Sequence, residues 1–146
     1  ALNGIVVKFW NVYGEERELE KFHVITDFII KAKKYKRINL LTDGSEIRQF
    51  LHADDCSECL YILSKKYAEI PRDKELHITS FVWSTILEIA YMVGRVCDVE
   101  KIMPADEKDI VQKDSRNEPD KYILNYWQPK IGLLEGINRV SKQINV

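Results

Sequence analysis

Apolar residues recur along the first third of the chain in two spacings, one typical of strands and one of amphipathic helices. Residues 5–10 form a short β-branched and aromatic run, which predicts a strand buried on both faces. After a turn at Gly14 and a charged stretch, apolar residues recur every three or four positions, which predicts a helix with one buried face. Its apolar positions are Phe22, Ile25, Phe28, Ile29 and Ala32, and the basic cluster at 31–37 suits its C-terminus.

The middle of the chain repeats this alternation. Residues 38–41 predict a short strand that ends in a tight turn at 42–45, where Asp and Gly supply the turn chemistry. A helix is predicted from Ala53 to about Ala68, and residues 75–79 predict a second core strand. The apolar stripe of the helix consists of Cys56, Leu60, Leu63 and Tyr67.

The last third is less regular. Ser80 is a candidate N-cap for a further helix with Gly94 near its end. The polar stretch from 98 to 120, with two prolines, predicts mainly loop and one short strand near Ile110 and Val111. A last helix is predicted from about Leu133 to Gln143. The inward face of the helix after Ser80 is predicted to contain Trp83, Ile86, Ile89, Ala90 and Val93.

Composition narrows the possible functions. The 146 residues are 45% hydrophobic and 31% charged, which suits one compact unit. With 22 basic and 23 acidic residues the net charge is -1, so nucleic acid and anionic membranes are not expected partners, and anion recognition must be local. No apolar run approaches the roughly 20 residues of a membrane span. The odd count of 3 cysteines favours a reducing compartment, and we expect a cytoplasmic protein.

Several short motifs have structural explanations that outweigh functional ones. Tyr61 and Lys65 have the spacing of a catalytic tyrosine and lysine, but they fit the solvated end of an amphipathic helix. Tyr126 and Lys130 repeat that spacing with Pro129 between them, which argues against a helix. No catalytic residue is therefore assigned.

The Cys56–Cys59 pair is half of a zinc site, but its other candidate ligands are scattered, so two packed cysteines and no metal are expected. His52 beside Asp54 and Asp55 fits the start of a helix better than an acid–base cluster, because carboxylates in the first turn favour the helix dipole. Gly132 and Gly136 most simply allow the last helix to begin and to pack closely.

Three ordered segments resemble the motifs of one enzyme family. They are residues 7–14 (VKFWNVYG), 42–55 (TDGSEIRQFLHADD) and 126–136 (YWQPKIGLLEG). Extended short-chain dehydrogenases/reductases that epimerise or dehydrate nucleotide sugars carry Arg-Phe-Asn-Val-Tyr-Gly-Pro, then Gly-Asp-Gly-x-x-x-Arg-Asp-Phe-x-His-Val-x-Asp, then Gly-Trp-x-Pro-Lys. Residues 1–146 thus resemble the C-terminal, substrate-binding portion of such an enzyme. The chain departs from these motifs at Lys8, Trp10, Glu15, Thr42 and Gln49.

The resemblance implies an α/β fold: the C-terminal part of a Rossmann-type epimerase/dehydratase, with late sheet strands and a small mixed α/β substrate-binding subdomain. It implies that Asn11 and Arg48 bind the diphosphate of a nucleoside diphosphate sugar, with Arg116 as a second positive contact. It also implies that Val24 and Leu41 line the base pocket, and that Trp10 lies beside the nicotinamide.

Each of these residues also has a plainer explanation. Arg48 could form a surface ion pair with Glu46 or another acid, and Arg116 could be an ordinary solvated arginine. Core packing is the alternative for Val24 and Leu41, and for Trp10 at the end of a strand.

The resemblance also bears on activity. Such enzymes use NAD or NADP, held by a glycine-rich turn, and a Tyr-x-x-x-Lys helix that precedes the Asn-Val-Tyr-Gly strand. This sequence contains neither in that position, so by itself it is expected to be catalytically incomplete and to bind no dinucleotide tightly. Expected partners are a nucleoside diphosphate sugar and an N-terminal Rossmann half, with a homodimer as a further option. The alternatives are a noncatalytic module that binds a nucleotide sugar or a protein, and a structural domain of a larger assembly.

Overall fold

The computed structural model describes residues 3–18, 23–110 and 117–146. Within them, short strands alternate with helices in a mixed α/β arrangement, as predicted. The strands are β1 (Val7–Phe9), β2 (Asn11–Tyr13), β3 (Ile38–Asn39), β4 (Ile47–His52), β5 (Leu76–Ile78), β6 (Trp83–Thr85) and β7 (Ile102–Met103). The α-helices are α1 (Val24–Tyr35), α2 (Ala53–Lys65), α3 (Ile86–Cys97) and α4 (Leu133–Gln143), and 3-10 turns occupy Tyr67–Glu69 and Tyr122–Asn125.

Parallel pairing dominates the strands. β1 pairs with β5, β2 with β4 and β3 with β7, all parallel, while β6 runs antiparallel to β4. Only Trp10 separates β1 from β2, so the chain changes its strand partner from β5 to β4 at this residue. Trp10 therefore lies at the junction of two strand pairings.

Two hydrophobic clusters hold these elements together. The first joins α1, α3 and α4, and the predicted inward positions of α1 at 25, 28, 29 and 32 are buried in it, while Phe22 lies outside the described residues. The second lies between α2, β5 and the segment that ends in Trp127. Helix α4 has the predicted bounds, and β5 is a fully buried strand as predicted. In the described residues no helix has the length and apolar character needed to cross a bilayer.

The prediction that residues 5–10 are buried on both faces is wrong. Val6 is 74% exposed and Phe9 is 54% exposed. The reason is that β1 has a single strand partner, β5, in the described part of the chain; Val6 lies just before β1, and Phe9 lines an open cleft. An apolar run indicates what a strand would bury, but burial needs neighbours on both faces.

The predicted stripe of α2 was rotated. Cys56, Cys59 and Leu63 are its buried apolar residues, whereas Leu60 is 41% exposed and Tyr67 lies beyond the helix, which ends at Lys65. Both stripes satisfy the three- and four-residue spacing of a helix face. The contact with Trp127 and β5 selects the one that is buried.

The helix after β5 begins five residues later than predicted. Residues 83–85 form β6 against β4, so Trp83 lies in a strand and not on a helix face, and Ser80 caps nothing. Thr85 is the N-cap of α3. In the polar stretch, the short strand lies at Ile102–Met103 and not near Ile110, which is 90% exposed, while Val111 lies outside the described residues.

Replacing Thr85 with Ala is expected to destabilise the protein by about 1 kcal/mol, measured by urea denaturation. The Thr85 hydroxyl accepts a hydrogen bond from the Glu88 amide at 3.0 Å, and the Glu88 carboxylate accepts one from the Thr85 amide at 2.7 Å. The substitution breaks this reciprocal pair and leaves an amide of the first turn without its partner. Ser80→Ala is the control, with an expected change below about 0.5 kcal/mol. Equal effects of the two changes would contradict the assignment of Thr85 as the cap.

Candidate functional site

A cleft of about 1000 Å³ opens between α1, the β1–β2 segment and the residues that follow β3. Five of the six residues singled out from the sequence line it, whereas Arg116 lies outside the described residues. The lining consists of residues 9–13, 23–25, Asp27, Phe28, Lys31, 40–42, Glu46, Arg48, Phe50, Ile86 and Asp109. Because ligand pockets for small molecules span roughly 300–1000 Å³, this cleft can hold a large one.

Strand register brings Asn11 and Arg48 together. Asn11 lies opposite Phe50 in the parallel β2–β4 pair, and Arg48 is two residues before Phe50 on the same strand. Residues i and i+2 of a strand point to one face, and directly paired residues share that face. Asn11 and Arg48 are therefore on the same face of the sheet, and both line the cleft.

A tight turn precedes Arg48 and positions the start of β4. Gly44 adopts a positive φ of 76°, which accords with the predicted turn at 42–45. The Thr42 hydroxyl donates to Glu46 at 2.7 Å and accepts from the Gly44 amide at 3.2 Å. Hydrogen bonds from Ser45 hold the pKa of the half-buried Asp43 below its usual value. Thr42, one of the departures from the family motifs, thus stabilises the turn at 42–45 through its hydroxyl group.

Arg48 already contacts an acid. Its Nη2 donates to Asp109 Oδ2 at 3.0 Å, and its Nη1 donates to its neighbour's carbonyl, that of Ile47, at 2.8 Å. From the sequence, an ion pair with Glu46 or another acid was the alternative role of Arg48. Arg48 does form an ion pair, and its partner is Asp109, while Glu46 accepts a hydrogen bond from Thr42. Arg48 is half-buried on the cleft wall, so an ion pair and a ligand contact are compatible at this position.

Asn11 and Trp10 are held by the strands beside them. The Asn11 side-chain amide donates to the Gln49 carbonyl at 3.1 Å, which uses one of its two N–H groups. Trp10 donates through Nε1 to His77 Nδ1 at 3.3 Å and meets Trp83 edge to face, with 5.9 Å between ring centroids. Trp10 is half-buried, and its orientation is set by His77 on β5 and Trp83 on β6.

Val24 and Leu41 lie in the cleft for different reasons. Val24 is the first residue of α1, where it lines the cleft and also packs against the first hydrophobic cluster. Leu41 follows β3 and is 84% exposed, so core packing does not explain it.

Charged residues that sequence reasoning missed also line the cleft. They include Asp27 and Lys31, which form an ion pair at 2.6 Å across one turn of α1, and Asp109 from the polar loop. Asp27 and Lys31 follow Val24 by three and seven residues, a spacing that places all three on one helix face, so the sequence contained this signal. Nothing in the sequence linked Asp109 to Arg48, since 61 residues separate them.

The end of the motif segment 42–55 has a structural role away from the cleft. The buried Asp55 carboxylate accepts hydrogen bonds from the Lys130 and Ile131 amides at 2.9 and 2.8 Å. The segment 52–55 is thereby joined to 126–131. His52 caps α2 by accepting from the Asp54 amide at 3.1 Å, so the prediction that this cluster begins a helix is confirmed.

The other short motifs lie outside the cleft lining. Lys65 lies over the exposed Tyr61 ring at 5.3 Å from its centroid. Cys56 and Cys59 are buried with free thiols, and burial raises the pKa of Cys59 to about 12. Among the described residues no three His, Cys, Asp or Glu side chains are grouped to hold a metal.

Buried Tyr13 connects the cleft to the helix α4. Its hydroxyl reaches the Leu133 carbonyl at 3.5 Å, and burial, with the Asp55 carboxylate as a second cause, raises its pKa well above the usual value. Tyr13 is therefore a protonated hydroxyl at neutral pH. A Cβ at Gly136 would lie 1.9 Å from this hydroxyl, so α4 packs here only because residue 136 is glycine.

The parallel strand pairs and covering helices define a Rossmann-type α/β fold, with a cleft of the size that small molecules occupy. The model of the NAD dependent epimerase/dehydratase family matches residues 1–79. The chain belongs to this family.

Relatives agree with that assignment. The chain is 29% identical to a GDP-L-fucose synthase of Sinorhizobium fredii (strain NBRC 101917 / NGR234), over 87% of this chain and 42% of that protein. It is 25% identical to UDP-glucuronic acid decarboxylase 1 of Arabidopsis thaliana, over 92% of this chain and 31% of that protein.

Solved structures show the same fold. A UDP-glucuronic acid 4-epimerase from Bacillus cereus, in complex with UDP-4-deoxy-4-fluoro-glucuronic acid and NAD, superposes with a TM-score of 0.78 at 16% identity, over 94% of this chain and 44% of that one. The chain thus spans less than half the length of these relatives. Its fold is the C-terminal part of a Rossmann-type epimerase/dehydratase.

Proposed function

We propose that residues 1–146 form the nucleotide-sugar-binding portion of an NAD-dependent epimerase or dehydratase. One observation carries the proposal: strand register puts Asn11 and Arg48 on one face of the sheet, in the same cleft as Val24 and Leu41. A cationic fork and an amide near an aliphatic pocket are the groups that a diphosphate joined to a nucleoside requires.

Arg48 supplies the main anion contact in this proposal. A guanidinium binds carboxylate and phosphate oxygens with the same planar geometry, so the contact at 3.0 Å to Asp109 is one that a diphosphate oxygen can replace. The free N–H of the Asn11 amide provides a second donor on the same side. Arg116 is proposed as a further cation, from outside the described residues.

The two ends of the cleft suit the two ends of a nucleotide sugar. Val24 and Leu41 present aliphatic surface to a base, and Trp10 presents an indole held in place by His77 and Trp83. We therefore place the base beside α1 and the sugar towards Trp10.

The residues of the chain fit only one end of NAD. Trp10 offers a flat face to a nicotinamide, but the six glycines include no Gly-x-Gly-x-x-Gly turn to hold the pyrophosphate. When bound, NAD accepts a hydride from the sugar and returns it. This chain's own residues bind and orient the sugar nucleotide, and we propose that the dinucleotide cradle and the catalytic tyrosine belong to an N-terminal Rossmann half.

Exposed apolar side chains at and just before β1 support a partner on that side. Val6 and Phe9 are 74% and 54% exposed, and β1 has one strand partner in the described residues. An N-terminal Rossmann half could pair a strand with β1 and cover Val6 with its own layer of side chains. A second copy of the chain is the alternative cover. The free state of all three cysteines suits the proposed cytoplasmic location.

Calorimetric titration of the chain with UDP-glucose and with GDP-L-fucose tests the proposal. At least one should bind, and Arg48→Gln should weaken that affinity about 10- to 100-fold, since hydrogen bonds to charged groups contribute roughly 1.5–3 kcal/mol. Arg95→Gln, which removes an exposed arginine of α3 outside the cleft lining, is the matched control and should leave the affinity unchanged.

Two results would contradict the proposal. Failure of both ligands to bind a folded wild-type chain would remove the nucleotide-sugar assignment. Equal affinities of the wild-type and Arg48→Gln chains would assign Arg48 to its ion pair with Asp109 alone and would favour a structural or protein-binding module.

A further inference from the structure

The base end of the cleft contains a paired acid and base from the same helix. Asp27 Oδ2 and Lys31 Nζ are 2.6 Å apart on α1, one turn after Val24. Lys31 also donates to the Asn39 carbonyl at 3.3 Å, which brings its ammonium group to the end of β3, next to Leu41. The pair therefore lines the same cleft as Val24 and Leu41, which are the two aliphatic residues of the proposed base pocket.

Both members of the pair retain capacity for a ligand. A carboxylate has about four acceptor sites and an ammonium three donors. The ion pair uses one of each, and the bond to Asn39 uses a second donor of Lys31. Asp27 Oδ1, a second acceptor site on Asp27 Oδ2 and one Lys31 N–H remain, and the side chains of Asp27 and Lys31 are about one-third and one-quarter exposed.

From this arrangement we infer that Asp27 and Lys31 read the edge of the base and select guanine. This inference rests on the proposed nucleotide-sugar site and assigns its base. Along its Watson–Crick edge guanine presents an acceptor, O6, followed by two donors, N1–H and the 2-amino group. Lys31 matches the acceptor, and the two oxygens of Asp27 match the donors, as in other bidentate contacts.

The other bases match less well. Uracil and thymine place their single donor, N3–H, between two carbonyl oxygens, so a carboxylate that accepts this proton meets a like partial charge beside it. Adenine offers one donor and one acceptor, which satisfies only one oxygen of Asp27. Cytosine offers one donor and two acceptors, the reverse of what Asp27 requires.

The charge of the cleft also favours recognition of the base by hydrogen bonds. Its described lining contains two Lys or Arg residues and three carboxylates. Attraction of any nucleotide by charge alone is therefore weak, and the affinity depends on specific hydrogen bonds.

The test measures calorimetric affinities of the 146-residue chain for GDP, UDP, ADP and xanthosine diphosphate. The wild-type chain should bind GDP at least about fivefold more tightly than UDP, the discrimination of one good bidentate base contact. Asp27→Asn should bind GDP about tenfold more weakly and should bind xanthosine diphosphate and UDP more tightly than the wild-type chain does. The Asn amide can donate to the carbonyl that replaces the 2-amino group in xanthine, and to a carbonyl beside N3–H in uracil. Lys31→Gln should weaken the binding of GDP without increasing the affinity for xanthosine diphosphate or UDP.

Asp73→Asn is the matched control, since Asp73 is exposed on the loop before β5 and outside the cleft lining. It should leave all four affinities unchanged. Binding of UDP as tight as that of GDP, or an unchanged GDP to UDP ratio in Asp27→Asn, would overturn the guanine inference while leaving the nucleotide-sugar site intact. If no nucleoside diphosphate binds, both proposals fail.

Discussion

Replacing Asp55 with Ala is expected to destabilise the protein by about 2–4 kcal/mol, because two partly buried amides lose a charged acceptor. Asp55 is 3% exposed, and its Oδ2 accepts from the amides of Lys130 and Ile131. Water does not easily replace the carboxylate as the acceptor for these partly buried amides. The free energy of unfolding, extrapolated from urea denaturation, measures the effect.

Neighbouring substitutions separate this role from helix capping. Asp54→Ala removes a carboxylate from the same first turn of α2, but the Asp54 side chain is 70% exposed and its contact with Arg139 is 3.5 Å. Its cost should stay below about 1 kcal/mol. Asp55→Asn keeps an oxygen that can accept both amides, and should recover at least half of the loss. A cost of Asp54→Ala as large as that of Asp55→Ala would show that helix-terminal charge, and not the link to residues 130–131, explains the effect.

Gly136→Ala is expected to destabilise the protein by about 1–3 kcal/mol, although Ala is ordinarily better than Gly inside a helix by roughly 1 kcal/mol. The added Cβ would lie 1.9 Å from the Tyr13 hydroxyl and 2.8 Å from its Cζ. The Tyr13 ring cannot swing aside freely, because it is buried and packed edge-on against Phe50 and His52. Thermal unfolding should show a lower midpoint. Because Tyr13 also lines the cleft, nucleotide affinity should fall with it.

Gly132→Ala is the comparison within the same motif. No heavy atom lies within 4 Å of a Cβ at Gly132, which is the N-cap of α4. The change should cost less than about 1 kcal/mol, mainly through the poor capping of Ala. A Gly136→Ala protein as stable as wild type would show that Tyr13 can move and that close packing does not require glycine at 136.

The sequence by itself determined the elements with strong local signals. The periodicity of residues 25–32 identified α1, because one-sided burial imposes a helical repeat on the apolar positions, and a helix at 133–143 was also predicted. The turn at 42–45 and the start of a helix at 53 were also readable, since Gly44 at positive φ and the acidic first turn are local requirements. The family resemblance assigned Asn11, Val24, Leu41 and Arg48 to one ligand, and all four line one cleft.

Only the tertiary structure decided which partner each segment meets. Local spacing allowed two stripes on α2, and the contact with Trp127 selected one. Residues 83–85 pair with β4 and form a strand, although a helix was predicted there. Val6 is exposed, although the apolar run predicted that it is buried. The contacts of Arg48 with Asp109 and of Asp55 with residues 130–131 join positions more than 60 apart. Periodicity reports the face that an element buries, whereas long-range geometry decides what lies against that face.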